Sequence, residues 1–115
     1  VVFANTIFNL AKENGINYDK VAEMVSYDSR IGHSHLKIKH QGGLVGKVGR
    51  GAGGHCFIKD MAALVEMYKD CKFRDKQNKL ALNFLESIVS FNNKLLLDSE
   101  KDLDLLFGVY GKLKK

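Results

Sequence analysis

A chain of 115 residues with a formal net charge of +5 is long enough for one domain with a modest core. With 45% hydrophobic and 27% charged residues it has a soluble globular composition, and no apolar run is long enough to span a bilayer. The basic residues are scattered, apart from small groups at Lys37, Lys39, Lys47 and Arg50 and at Lys112, Lys114 and Lys115. That distribution favours an anionic ligand or simple solubility over a nucleic-acid stripe.

In chain order, "VVFANTIFNLAKENG" puts Val2, Phe3, Ile7 and Leu10 near one helical face, with Gly15 placed as a C-terminal stop. "NYDKVAEMV" restarts a helix with Asn17 as N-cap and acids in its first turns. Residues 26–54, rich in glycine and histidine and poor in periodicity, read as one long loop; such loops are usually functional or disordered. "FIKDMAALVEMYKD" is amphipathic through Met61, Leu64, Val65 and Tyr68. Residues 74–98 are predicted as one long helix, because Leu82, Leu85, Val89 and Leu96 recur at threes, fours and sevens. Phe84, Ile88, Phe91 and Leu95 widen that stripe beyond what a small domain buries, which points to a partner surface and a homodimer. "LDLLFGVYG" is short and apolar and is predicted as a strand.

The densest chemistry lies in "GRGAGGHCFIKD", residues 49–60. Gly49-x-Gly51-x-x-Gly54 matches the dinucleotide fingerprint literally, but no firm strand precedes it and no βαβ unit surrounds it. A Walker-type loop would end in Gly-Lys-Ser/Thr, and this one ends in Gly-His-Cys. A plain flexible turn is the bland alternative. Cys56 stands out because it follows the glycines at the predicted start of a helix. Helix-terminal amides and Lys59 favour a thiolate there, and Asp60, four residues on, shares its face. A nucleophile beside a carboxylate can form a covalent adduct and then activate water. Cys71, in "KDCKF", reads as an inert thiol at a helix end.

These motifs resemble the nucleotide-sugar dehydrogenases, the UDP-glucose and GDP-mannose 6-dehydrogenases. "GRGAGGHCFIKDMAAL" resembles their active-site segment, "YDSRIG" their Asp-x-Arg-Ile-Gly, and residues 1–25 the helix pair that precedes it. The resemblance covers residues 1 to about 97. It implies an all-α fold, a helical central dimerisation domain like the C-terminal domains of the 6-phosphogluconate-dehydrogenase type, with one long helix and a long Gly-rich active-site loop. Residues 1–97 would form that domain, and 98–115 a linker and the first strand of a following domain. The resemblance further implies NAD as cofactor and a nucleotide sugar, most readily UDP-glucose, as substrate. Cys56 is then the nucleophile and Asp60 the acid that assists water or proton transfer. Lys59 contacts NAD, Gly53 contacts substrate, and Arg30 reaches a substrate across the dimer. The glycines would let the sugar lie against bare backbone. Ala52 stands where the family prefers an aromatic residue, which leaves the loop less well packed. Ile58 stands where it prefers proline, which loosens the start of the helix, and Thr6 replaces the Glu usual after Asn5.

The chain opens without methionine inside an apolar pattern and is read as a piece of a longer protein, inactive by itself. With two cysteines and no signal-peptide pattern, it is expected to carry reduced thiols in the cytoplasm. A non-catalytic helical dimerisation module is the competing reading. A metal site from His33, His35, His40, His55 and Cys56 is disfavoured, because His-x-His lacks a third ligand at fixed spacing.

Overall fold

The computed structural model describes residues 1–42 and 47–115. Helix α1 (Val2–Glu13) ends as its glycine suggests: Asn14 closes the last turn, and Gly15 takes φ +66°. Helix α2 (Tyr18–Val25) is capped by Asn17, whose side chain accepts from the Asp19 amide at 2.9 Å. The two helices bury Ala4, Ala11 and Tyr18 together, with Ile7, Phe8, Ala22 and Ile38 against them.

The long segment predicted as a loop carries structure of its own. A 3-10 turn (Ser34–Leu36) is tied to α2 by the Tyr18 hydroxyl, which donates to the Leu36 carbonyl at 2.6 Å. Strands β1 (Lys39–Gln41) and β2 (Val48–Arg50) then pair antiparallel, with Lys39 opposite Arg50 and Gln41 opposite Val48. Glycine and lysine mask this hairpin in the sequence, because its strands lack the apolar alternation that marks a half-buried strand. Residues 43–46 of the predicted loop lie outside the described residues.

Helix α3 (Gly54–Asp70) and helix α4 (Lys76–Ser99) form the main antiparallel pair. The single long helix predicted over 74–98 is present as α4, 24 residues or about 36 Å long. Asp75 caps it by accepting from the Asn78 amide at 2.9 Å. The segment predicted as a strand is instead helix α5 (Leu103–Tyr110). Leu103, Leu106, Phe107 and Tyr110 recur at i, i+3, i+4 and i+7, and all pack on the second core cluster. A short apolar run fits either period, and here the helical one turns these four side chains inward and leaves Val109 exposed. That cluster holds Ile58 of α3, Leu96 and Leu97 of α4 and Leu106 of α5. Leu96 and Leu106 have no exposed surface, and each contributes about 2 kcal/mol of burial.

The α4–α5 corner is sharp. Glu100 and Asp102 both adopt left-handed backbone, at φ 52° and 51°, and Lys101 between them is 1% exposed. A buried lysine and a buried aspartate at one bend need partners, and those partners are in the glycine loop. Among the described residues no helix is long and apolar enough to cross a membrane.

Candidate active site around the glycine loop

The loop between β2 and α3 is held from Gly49 to Gly54 by polar side chains of α4 and the α4–α5 corner. The Arg50 amide donates to Ser99 Oγ at 2.9 Å. Asn92 brackets Ala52, its Oδ1 accepting from the Ala52 amide at 2.7 Å and its Nδ2 donating to the Ala52 carbonyl at 2.8 Å. Lys101 Nζ donates to the carbonyls of Gly51 at 2.8 Å and Gly49 at 3.4 Å. The Gly54 amide, first of α3, donates to Asp102 Oδ2 at 2.7 Å. Burial pushes the Lys101 ammonium below its ordinary pKa, and neighbouring Asp102 opposes the shift.

This packing gives a reason for the glycines that the resemblance did not supply. A Cβ on Gly53 would lie 2.2 Å from Asp102 Oδ2. Gly51 sits at φ +96°, where L side chains are rare, and a Cβ there would press on Leu95 and Leu96 at 3.1 Å. Gly53 is bare so that the corner can reach the backbone, and Gly51 so that α4 can pack against it. The literal dinucleotide fingerprint meets the same arrangement. A strand precedes it and a helix follows, but the strand belongs to a two-stranded antiparallel hairpin. An in-chain carboxylate already takes the first helical amide, where a bound phosphate would sit.

A second anchor comes from α1. Arg50 Nε donates to the fully buried Asn5 at 2.7 Å, Nη2 donates to Asn9 at 2.7 Å, and the guanidinium carbon lies 4.7 Å from the centroid of Phe8. Asn5 completes its bonding by donating to the Val1 carbonyl at 3.0 Å. The hairpin is therefore pinned to α1 on one side and to α4 on the other.

Cys56 occupies the third position of α3 and is exposed, as is Cys71 at the far end of the helix. Asp60 is one turn further along and exposed, with Lys59 at 3.8 Å as its ion-pair partner. Lys59 lines a shallow groove with His55, Asp104 and Gly108, facing α5. Ile58, expected to loosen the start of α3, does the opposite: it is 3% exposed and anchors that turn against α4 and α5. Two cavities border the loop. One, about 230 Å³, is lined by His35, His40, Gly51, Gly53, Phe57 and Lys101; the other, about 190 Å³, lies among Phe57, Ile58, Met61, Val89 and Tyr110. Ala52, His35 and Phe57 border both, so the small side chain at 52 leaves open space beside the glycines.

Arg30 is not brought to the loop. It folds back on Asp28 with bonds of 3.0 and 2.6 Å, lowering the Asp28 pKa and raising its own, and it lines neither cavity. Among the described residues no group of three or more His, Cys, Asp or Glu side chains is placed to hold a metal ion. The sequence reading missed Asn92, Ser99, Lys101 and Asp102, because their partners lie 40 to 52 residues away in the chain.

The profile of the UDP-glucose/GDP-mannose dehydrogenase family, central domain, matches residues 1–94. The chain is 32% identical over 114 residues to the UDP-glucose 6-dehydrogenase TuaD of Bacillus subtilis (strain 168), covering 99% of this chain and 20% of that protein. It is 32% identical over 115 residues to YwqF, a UDP-glucose 6-dehydrogenase of the same organism, covering 97% and 22%. A UDP-glucose 6-dehydrogenase of Rickettsia typhi (strain ATCC VR-144 / Wilmington) is 37% identical over 87 residues, covering 70% and 18%. The chain thus spans about a fifth of the length of these curated relatives. No solved structure matches it. With the profile spanning most of the chain, and the glycine loop, Cys56 and most of the long helix inside the match, this chain belongs to the UDP-glucose/GDP-mannose dehydrogenase family and corresponds to its central domain.

Proposed function

We propose that this chain is the nucleophile-bearing central domain of an NAD-dependent UDP-glucose 6-dehydrogenase that oxidises the primary alcohol of the sugar to a carboxylate. The observation that carries the reading is the exposed Cys56 in the first turn of α3, directly behind a loop whose backbone is fixed by side chains from α4 and the corner. The names of the curated relatives support the substrate class.

The described residues do not build a dinucleotide pocket, since the fingerprint-like glycines are occupied by the corner. NAD is therefore assigned to a part of the longer protein, with exposed Lys59 as this chain's contact. When bound, NAD accepts the two hydrides of the oxidation. This chain's residues do the rest. The Cys56 thiol adds across the C=O of the aldehyde from the first oxidation, its proton passing to the new hydroxyl, and holds a thiohemiacetal. Loss of a hydride and the hydroxyl proton leaves a thioester. Asp60 orients and deprotonates the water that cleaves it, returning the thiol and releasing the acid. Gly53, whose missing side chain leaves room for Asp102, contacts the sugar through its backbone where it lines the 230 Å³ cavity. Arg30, exposed and away from that cavity, serves the partner copy's site in a homodimer. The cytoplasm, where both thiols stay reduced, is the compartment this reading implies.

The test is stoichiometric. The full-length parent, supplied with NAD and either UDP-glucose or GDP-mannose, is expected to form two NADH per UDP-glucose consumed, and the isolated chain none. One NADH per sugar, with an aldehyde accumulating, would remove the thioester step; turnover of GDP-mannose alone would overturn the substrate.

A further inference from the structure

We propose that the α4–α5 corner is the positioning device of the candidate nucleophile, with Asp102 and Lys101 as positioning residues that set the start of α3 and so the place of Cys56. The inference rests on Cys56 being the nucleophile for its catalytic meaning; the physical coupling does not depend on it. Neither residue touches the reacting atoms. Gly53, the N-cap of α3, has no side chain to cap with, and the first helical amide is satisfied instead by Asp102 from 48 residues away. The nearby Lys101 ammonium, almost wholly buried, gathers the Gly49 and Gly51 carbonyls. A buried cation on two carbonyls and a carboxylate on a helix-terminal amide are charge-assisted bonds, stronger than neutral ones.

The corner is also bent to deliver them. Glu100 and Asp102 adopt left-handed backbone, uncommon for residues other than glycine, and the Asp102 carboxylate reaches the space that a Cβ on Gly53 would fill. Opposite charges at adjacent positions thus engage opposite backbone groups of one loop, carbonyls before the cap and an amide after it. Two residues downstream of that amide is Cys56.

Amide hydrogen exchange and carbon chemical shifts of this chain, residue by residue, test the proposal. In Asp102→Ala, exchange at Gly54 is expected to speed up roughly tenfold or more. The Cys56 Cα shift should move from its helical value toward coil, while Leu96 in the middle of the core keeps its protection. Asp102→Asn retains an oxygen acceptor and is expected to restore most of both signals. Unchanged Gly54 exchange in Asp102→Ala, no rescue by asparagine, or a loss shared equally by Leu96 would each overturn the proposal. Should Asp102→Ala not fold, Lys101→Met examines the same device, with faster exchange expected at Arg50 and Ala52 and none at Leu96. Unchanged Arg50 and Ala52 amides would contradict it. Because no substrate enters this measurement, its failure is distinct from failure of the dehydrogenase reading, which the NADH stoichiometry decides.

Discussion

Lys101 concentrates the physics of the site in one side chain. An ammonium that is 1% exposed must be solvated by the protein, and the Gly51 and Gly49 carbonyls do this. Burial still lowers its pKa below the ordinary 10.5, with Asp102 offsetting part of the effect. The sign follows from linkage. Between the depressed folded value and 10.5 the unfolded chain binds more protons than the folded one, so this residue makes stability rise with pH across that window. Tyr18 and Tyr110, raised above 10.0 by burial, contribute stability that is lost at higher pH, so the comparison must be with a variant that keeps both. Lys101→Met removes the rise: urea unfolding from about pH 8 to about pH 10 should show the variant losing ground to the wild type as pH increases. A stability difference independent of pH would show that the ammonium is not strained by burial. Nothing in "SEKDLD" marks Lys101 as buried, since a lysine after a long helix ordinarily reads as a solvated charge. The place of Cys56 at a helix start was legible from its neighbours alone, because glycines before and a helix after are local features; the contact of Asp102 was not, because its partner is across the fold.

Among the elements, α4 does two jobs with two sets of residues. Its C-terminal half supplies Asn92, Ser99 and the Leu95–Leu97 core, while Leu80 and Phe84 nearer its start are 57% and 65% exposed. The long helix and its broad stripe were plain from the sequence, as 3.6-residue periodicity without proline or glycine leaves little else. The α5 helix and the hairpin were not, because a mostly apolar run of eight residues fits two periods and a glycine-containing strand of three shows none. We propose that the exposed part of the α4 stripe meets a second copy of the chain. Phe84→Glu is expected to leave helix content intact while shifting sedimentation from dimer to monomer. A wild-type chain that stays monomeric at high concentration would contradict the dimer.

For the molecule as a whole, two clusters with different roles are joined through the hairpin. The α1–α2 cluster receives Arg50 through Asn5, Asn9 and Phe8, and the α3–α4–α5 cluster receives the glycine loop through Asn92, Lys101 and Asp102. A short segment held from both sides presents Cys56 to solvent, where the proposed nucleophile would be open to a large substrate. The most direct measurement of this account is mass spectrometry of the full-length parent quenched during turnover with UDP-glucose and NAD. A substrate-derived adduct on the peptide containing Cys56, absent from the peptide containing Cys71 and lost in Cys56→Ser together with acid formation, is the expected result. Full alcohol-to-acid turnover by Cys56→Ser, with no adduct on the wild-type peptide, would contradict it.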